Sequence, residues 1–218
     1  MAITLTKDNF NQAMCDVRKA HRLIYAYQRK VLDLTYFIKS KLGFPEYSGN
    51  RLFCNPIAKK RDSYASLNIF RDMWAWDFLY SYVFEYYFGE KSPKNCKIVM
   101  SIIQVSDTGF YDTDDSPTEL TTFASEDTSM SKLIFVVEKK DKKKQSDWNK
   151  DWIGKEVYYN HKRMSANHTR DCLNHDGNIQ IIYSFPFDRF LNEETTIAAL
   201  EEFVKYSNDN GIQELKLA

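Results

Sequence analysis

The chain has 218 residues, enough for one domain with a proper hydrophobic core. Hydrophobic residues make up 43% and aromatics 15%, which excludes a disordered chain. Lys plus Arg and Asp plus Glu are both 30, so net charge selects no class of partner.

The opening MAITLTKDNF lacks a basic start followed by an apolar core, so no signal peptide is read there. No apolar run approaches the roughly 20 residues needed to span a bilayer. Cys15, Cys54, Cys96 and Cys172 follow no framework spacing. A soluble, cytoplasmic protein with reduced thiols and no membrane partner is expected.

The first predicted element is a long amphipathic helix over 6–43, started by Thr6 with Leu5 and Phe10 as a hydrophobic staple, and ended by Gly43 and Pro45. Its apolar seam runs Phe10, Ala13, Val17, Ala20, Ile24, Tyr27, Val31, Leu34, Ile38, in alternating steps of three and four. Such a helix reaches about 50 Å, longer than a compact domain of this size needs. Met14, Leu23, Tyr25, Leu32 and Phe37 widen the stripe, which serves either a partner helix or the protein's own sheet. His21 and Gln28 flank the seam one heptad apart.

Residues 44–63 read as loop, with Lys59-Lys60-Arg61 a solvated turn, and a short helix is expected over 64–73. From Trp74 to Phe88 every second residue is aromatic, the alternation of a strand with one aromatic face. A turn over 89–95 leads into the Ile- and Val-rich run Cys96 to Val105, completing a hairpin. Lys132 to Lys140 is a third strand, and Ile179 to Phe187 another, with Pro186 forcing an edge or a strand end. Weaker strands are read at 120–124 and 156–159. A C-terminal helix over 192–210 starts at Asn192, buries Ile197, Leu200, Phe203 and Val204, and closes at Gly211, with a short tail strand over 212–217. The order predicts one α+β domain over 1–218. Its mostly antiparallel sheet of about five strands, over 74–187, is covered by the two helices.

From Ile98 to Ser131 there is no Lys or Arg, while Lys139, Lys140, Lys142, Lys143 and Lys144 follow closely. Glu138-Lys139-Lys140 ends an apolar strand and has the form E-x-K, and Asp107 is read as ending the preceding strong strand. Alternation puts Glu138 and Lys140 on one face. This arrangement resembles, over three residues, that of PD-(D/E)XK-type nucleases. The resemblance implies acids that hold Mg²⁺ and a Lys that positions water. The Pro expected before the acid is replaced by Ser106.

His168, Cys172 and His175 lie at i, i+4 and i+7, one face if the segment is helical, and imidazole with thiolate is a ligand set for Zn²⁺. Trp148 and Trp152, beside Lys142, Lys143 and Lys144, form a candidate nucleic-acid-binding stretch that would stack bases and meet phosphates. Asp112-Thr113-Asp114-Asp115 lacks the Gly and closing Glu of a calcium loop. No Walker sequence, dinucleotide fingerprint or G-x-S-x-G occurs.

The reading that follows is a non-catalytic cytosolic protein-binding or assembly component, self-associating or bound to a protein partner and requiring no cofactor. It acts through the amphipathic helix and the aromatic-rich sheet. The alternative is a metal-dependent nuclease using Asp107, Glu138 and Lys140, with Mg²⁺ as cofactor.

Overall fold

The computed structural model describes residues 7–52, 82–93, 95–113, 122–141, 154–175 and 178–218. The expectations for Thr6, residues 53–73, the Trp74 to Ser81 part of the aromatic run, Lys142, Lys143, Lys144, Trp148 and Trp152 lie outside them. By its internal packing the chain divides into two compact units, Met1–Leu34 and Thr35–Ala218.

The first unit holds most of helix α1 (Lys7–Lys41). Its sequence favours a helix through Ala, Leu, Arg, Lys and Gln at most non-seam positions. Gln12 and Lys19 both bond Asp16 across one turn. Along this unit Phe10 is 51% exposed, Leu23 72% and Tyr25 70%, and Ala13, Val17 and Ala20 are exposed as well.

The second unit is an α+β domain built on a six-stranded, wholly antiparallel sheet. Its strands are β1 (Ser48–Arg51), β2 (Val83–Lys91), β3 (Cys96–Val105), β4 (Lys132–Asp141), β5 (Arg170–His175) and β6 (Asn178–Pro186). They lie in the order β1-β2-β3-β4-β6-β5. A one-turn helix α2 (His161–Met164) lies between β4 and β5, and the longer α3 (Glu193–Asp209), the predicted C-terminal helix, follows β6. Among the described residues no helix is long and apolar enough to cross a membrane.

The expected five strands are six, because β1 and β5 are too polar to read as strands alone. β5 (R-D-C-L-N-H) is recruited by the ladder of β6, which places Arg170 opposite Tyr183 and His175 opposite Asn178. β6 is therefore an inner strand, and Pro186 marks its end, where a missing N–H costs no ladder bond. Three weaker readings fail. Residues 154–158 form a π-helical turn, 122–124 are not strand, and the tail after Gly211 is turn and coil.

One sheet face is closed by α3. Phe203 meets Phe135 at 5.0 Å between ring centroids, and Phe190 stacks on Phe135 at 6.0 Å. Asn192 caps α3: its side chain accepts from Thr195 N–H, and the Thr195 hydroxyl accepts from Asn192 N–H. Gly211, at φ 99, turns the chain where a side chain would strain and meet Ile179.

The described part of the aromatic run packs inside this unit. Tyr47 stacks on Tyr86 and Phe88 at 6.2 and 6.3 Å, and its hydroxyl bonds Thr35 at 2.7 Å. Phe44 also reaches Phe88. A bulge between Tyr87 and Gly89 shifts the register, so strict alternation ends there.

The opposite sheet face is half apolar. Val83, Ile103, Val105, Ile134, Val136 and Ile182 are covered by Phe110, Tyr111, Val157, Tyr158 and Met164. Its other half carries the polar residues described next.

Candidate functional site

The antiparallel register assigns each side chain to a face, since directly paired residues point the same way. Glu138 pairs with Val99 on one side and Gln180 on the other, and Val99 pairs with Glu90. Two residue pairs further along, and so on the same face, Lys140 lies opposite Lys97. Asn178, two residues before Gln180, shares its face. The end of this sheet face therefore gathers Glu90, Lys97, Glu138, Lys140, Asn178 and Gln180.

Burial makes this cluster unusual. Glu138 and Gln180 are 0% exposed and Lys140 1%. Such charges persist in a folded interior only when opposite charges or hydrogen bonds meet them, because uncompensated burial costs several kcal/mol per ion. Like charges directly opposite on a sheet repel, and here Glu90 answers both lysines, at 3.1 Å from Lys97 Nζ and 4.0 Å from Lys140 Nζ. Beside them, Ser101 donates to Glu85 at 2.5 Å. Among the described residues Gln180 has no hydrogen-bond partner at either amide atom, and Asn178 Oδ1 has none.

The structure thus brings Glu138 and Lys140 together, as alternation predicts, but separates Asp107 from them. Val105, the last residue of β3, is already about 20 Å along the strand from Val99. Asp107 lies beyond it, accepting from Gly109 N–H in a local turn. The acid expected on the neighbouring strand is absent, because β3 presents Val99 and Ser101 to this face.

The predicted zinc set is not on a helix. Cys172 and His175 belong to the strand β5, so the helical face that the i, i+4, i+7 spacing required does not form. His168 precedes the strand and is engaged elsewhere: its Nδ1 lies 2.8 Å from Ser184 Oγ and its Nε2 3.2 Å from Asp171. Among the described residues no group of three or more His, Cys, Asp or Glu could hold a metal ion.

His168 belongs to a second polar network at the far end of the same face. Arg163 donates to Asp171 at 2.6 Å and pairs with Glu156 at 2.7 Å. Burial holds the imidazole below its ordinary pKa, against the opposing bond from Asp171. Burial pushes Asp171 up, but its bonds from Arg163 and His168 outweigh this and hold the carboxyl below the usual range. Lys132, also buried, donates to Arg163 O at 2.9 Å and Ser165 O at 2.5 Å. Desolvation brings its amine down to about 7, against a smaller opposing pull from Asp112. This network pins the 154–168 segment to the sheet.

Comparison with known proteins adds one result: the family model PM0109 matches residues 7–213. The chain belongs to the PM0109 family. No curated protein matches it, and no solved structure does. The PM0109 match runs from the start of α1 to beyond α3, taking in the exposed helix face and both polar clusters. Sequence reading of this PM0109-family chain missed Glu90, Asn178 and Gln180. A signal existed, since Asn178, Gln180 and Ser184 alternate with apolar residues. That pattern reads as a solvent-facing side, whereas the fold buries it.

Proposed function

We propose that the protein is a non-catalytic cytosolic protein-binding or assembly component whose contact surface is the N-terminal helix. One observation carries this reading: Phe10, Ala13, Val17 and Ala20, in seam spacing, stand exposed with Leu23 and Tyr25 beside them. Contiguous exposed apolar surface of this kind marks interaction sites, and helix–helix pairing through such a seam is a recurrent mode. Of the described sheet aromatics, Tyr86 and Phe88 are buried beneath Tyr47 and Phe44, so the helix seam is the larger exposed apolar surface.

The test is sizing with light scattering over a wide concentration series, on wild type and the Val17→Asp variant. Concentration-dependent growth that the substitution abolishes is expected for self-assembly. Hydrogen exchange extends the test. An isolated helix frays unless its apolar face is packed, so amides over residues 10–24 should gain protection as the protein associates. A strict monomer with unchanging fast exchange would sink the self-association form of the reading.

A second reading is favoured by a different observation, the zero exposure of Glu138 beside Lys140 on one face of a central strand. It is a metal-dependent nuclease in which Glu138 helps hold Mg²⁺ and Lys140 positions water or phosphate. Lys142, Lys143, Lys144, Trp148 and Trp152 would contact the nucleic acid. Mg²⁺-dependent cleavage of DNA or RNA by wild type, lost in Lys140→Ala, is its expected signature. Inactivity of the wild type in both would remove it.

A further inference from the structure

We propose that Glu138, Gln180 and Asn178 form a binding site for a divalent cation of the magnesium or manganese class, with Lys140 placed for an anionic oxygen carried by that cation. The inference deepens the nuclease reading and rests on it for the identity of that anion, a phosphate. It replaces Asp107 by two amides to which the sequence assigned no role.

Gln180 is fully enclosed, and among the described residues both its carbonyl oxygen and its amide nitrogen lack partners, as does Asn178 Oδ1. A buried polar group without a partner costs about 1–3 kcal/mol. A stable fold would be expected to replace Gln180 with leucine unless the amide meets something. Ile182, two residues further along the same face, shows that apolar side chains fit there.

Donor chemistry then selects the ligand. Glu138 supplies a carboxylate directly across from the Gln180 carboxamide, and Asn178 adds a second amide oxygen from the same strand face. Oxygen-only donor sets suit hard cations, and Mg²⁺ and Mn²⁺ are satisfied with few protein ligands because they retain waters or take substrate oxygens. Lys140 excludes a bare cation cage, since an ammonium on the same face repels a metal. With an anion on the metal, the same ammonium becomes favourable. Glu90 lies 3.1 Å from Lys97 Nζ and 4.0 Å from Lys140 Nζ, so a carboxylate already borders this end of the site.

The experiment uses Mn²⁺ itself as probe on the full chain, its binding followed by electron paramagnetic resonance. Wild type is expected to bind saturably, more tightly when inorganic phosphate is present. Glu138→Gln and Gln180→Leu should each weaken binding by at least about tenfold. Gln180→Glu, which supplies a second carboxylate, should tighten it and show a larger Mn²⁺-induced rise in Tm than wild type. That gain keeps the test decisive if a loss variant folds poorly. Absence of saturable binding by wild type overturns the proposal, as does binding that all three variants leave unchanged. Cleavage is scored separately: a cation bound through Glu138 without cleavage of DNA or RNA retires the nuclease reading and leaves the cation site standing.

Discussion

Replacing Lys132 by methionine tests how the buried polar networks are held. The Lys132 amine is down at about 7 from a reference of 10.5, chiefly through desolvation. Between those two values the unfolded chain keeps a proton that the folded chain has released. The unfolded state therefore binds more protons, and wild-type stability rises with pH across this window. Each unit is worth about 1.4 kcal/mol, and near the lower end only half applies, so the rise from about pH 7 to about pH 9 is roughly 2 kcal/mol. A neutral amine still has two N–H donors, enough for both Arg163 O and Ser165 O. At about pH 9 Lys132→Met should thus be less stable than wild type by roughly 2–4 kcal/mol, the cost of stranding two carbonyls. Near pH 7 that gap should shrink by about 2 kcal/mol. Urea unfolding followed by circular dichroism, on both proteins over this range, measures the gap directly. Parallel stability curves would refute the reasoning, because Lys132 would then hold the same proton folded and unfolded.

Three further outcomes are expected. Phe203→Ala opens a cavity beneath Phe135 and should cost about 3–5 kcal/mol in the same unfolding assay. Asn192→Ala removes the α3 cap and should cost about 1 kcal/mol, with Asn192→Ser recovering most of it. His168 is held below its reference value of 6.5 mainly by burial, so below that pH the unfolded chain takes up a proton the folded chain resists. The stability gap between wild type and His168→Gln should accordingly narrow as the solution is acidified from 6.5, and a constant gap would show that the imidazole titrates normally.

Local pattern was a sound guide wherever the residues themselves carry the cause. The ladder-forming runs Cys96 to Val105 and Lys132 to Asp141 are β-branched and apolar, and they are strands at the predicted places. Asn192 and Gly211 bound α3 because capping and positive φ are local requirements. By contrast, β5 has no strand-forming sequence of its own, and its backbone pairs only because β6 offers an open edge. The histidine-cysteine spacing misled for that reason: i, i+4, i+7 is a face on a helix and scatter on a strand.

By itself, then, the sequence determined the α+β class, the two long helices, the central strands, and the placement of Glu138 and Lys140 on one face. Each follows from period, caps and alternation, which act over a few residues. Only the tertiary structure decided which polar residues are buried. The alternation that sets Asn178 and Gln180 opposite the apolar residues of β6 fixes a side of the strand. Whether water or protein lies on that side depends on the pairing of β4 with β6 and on what covers them. The same holds for Asp107, whose distance from Glu138 is set by strand register, a contact between segments rather than a property of either.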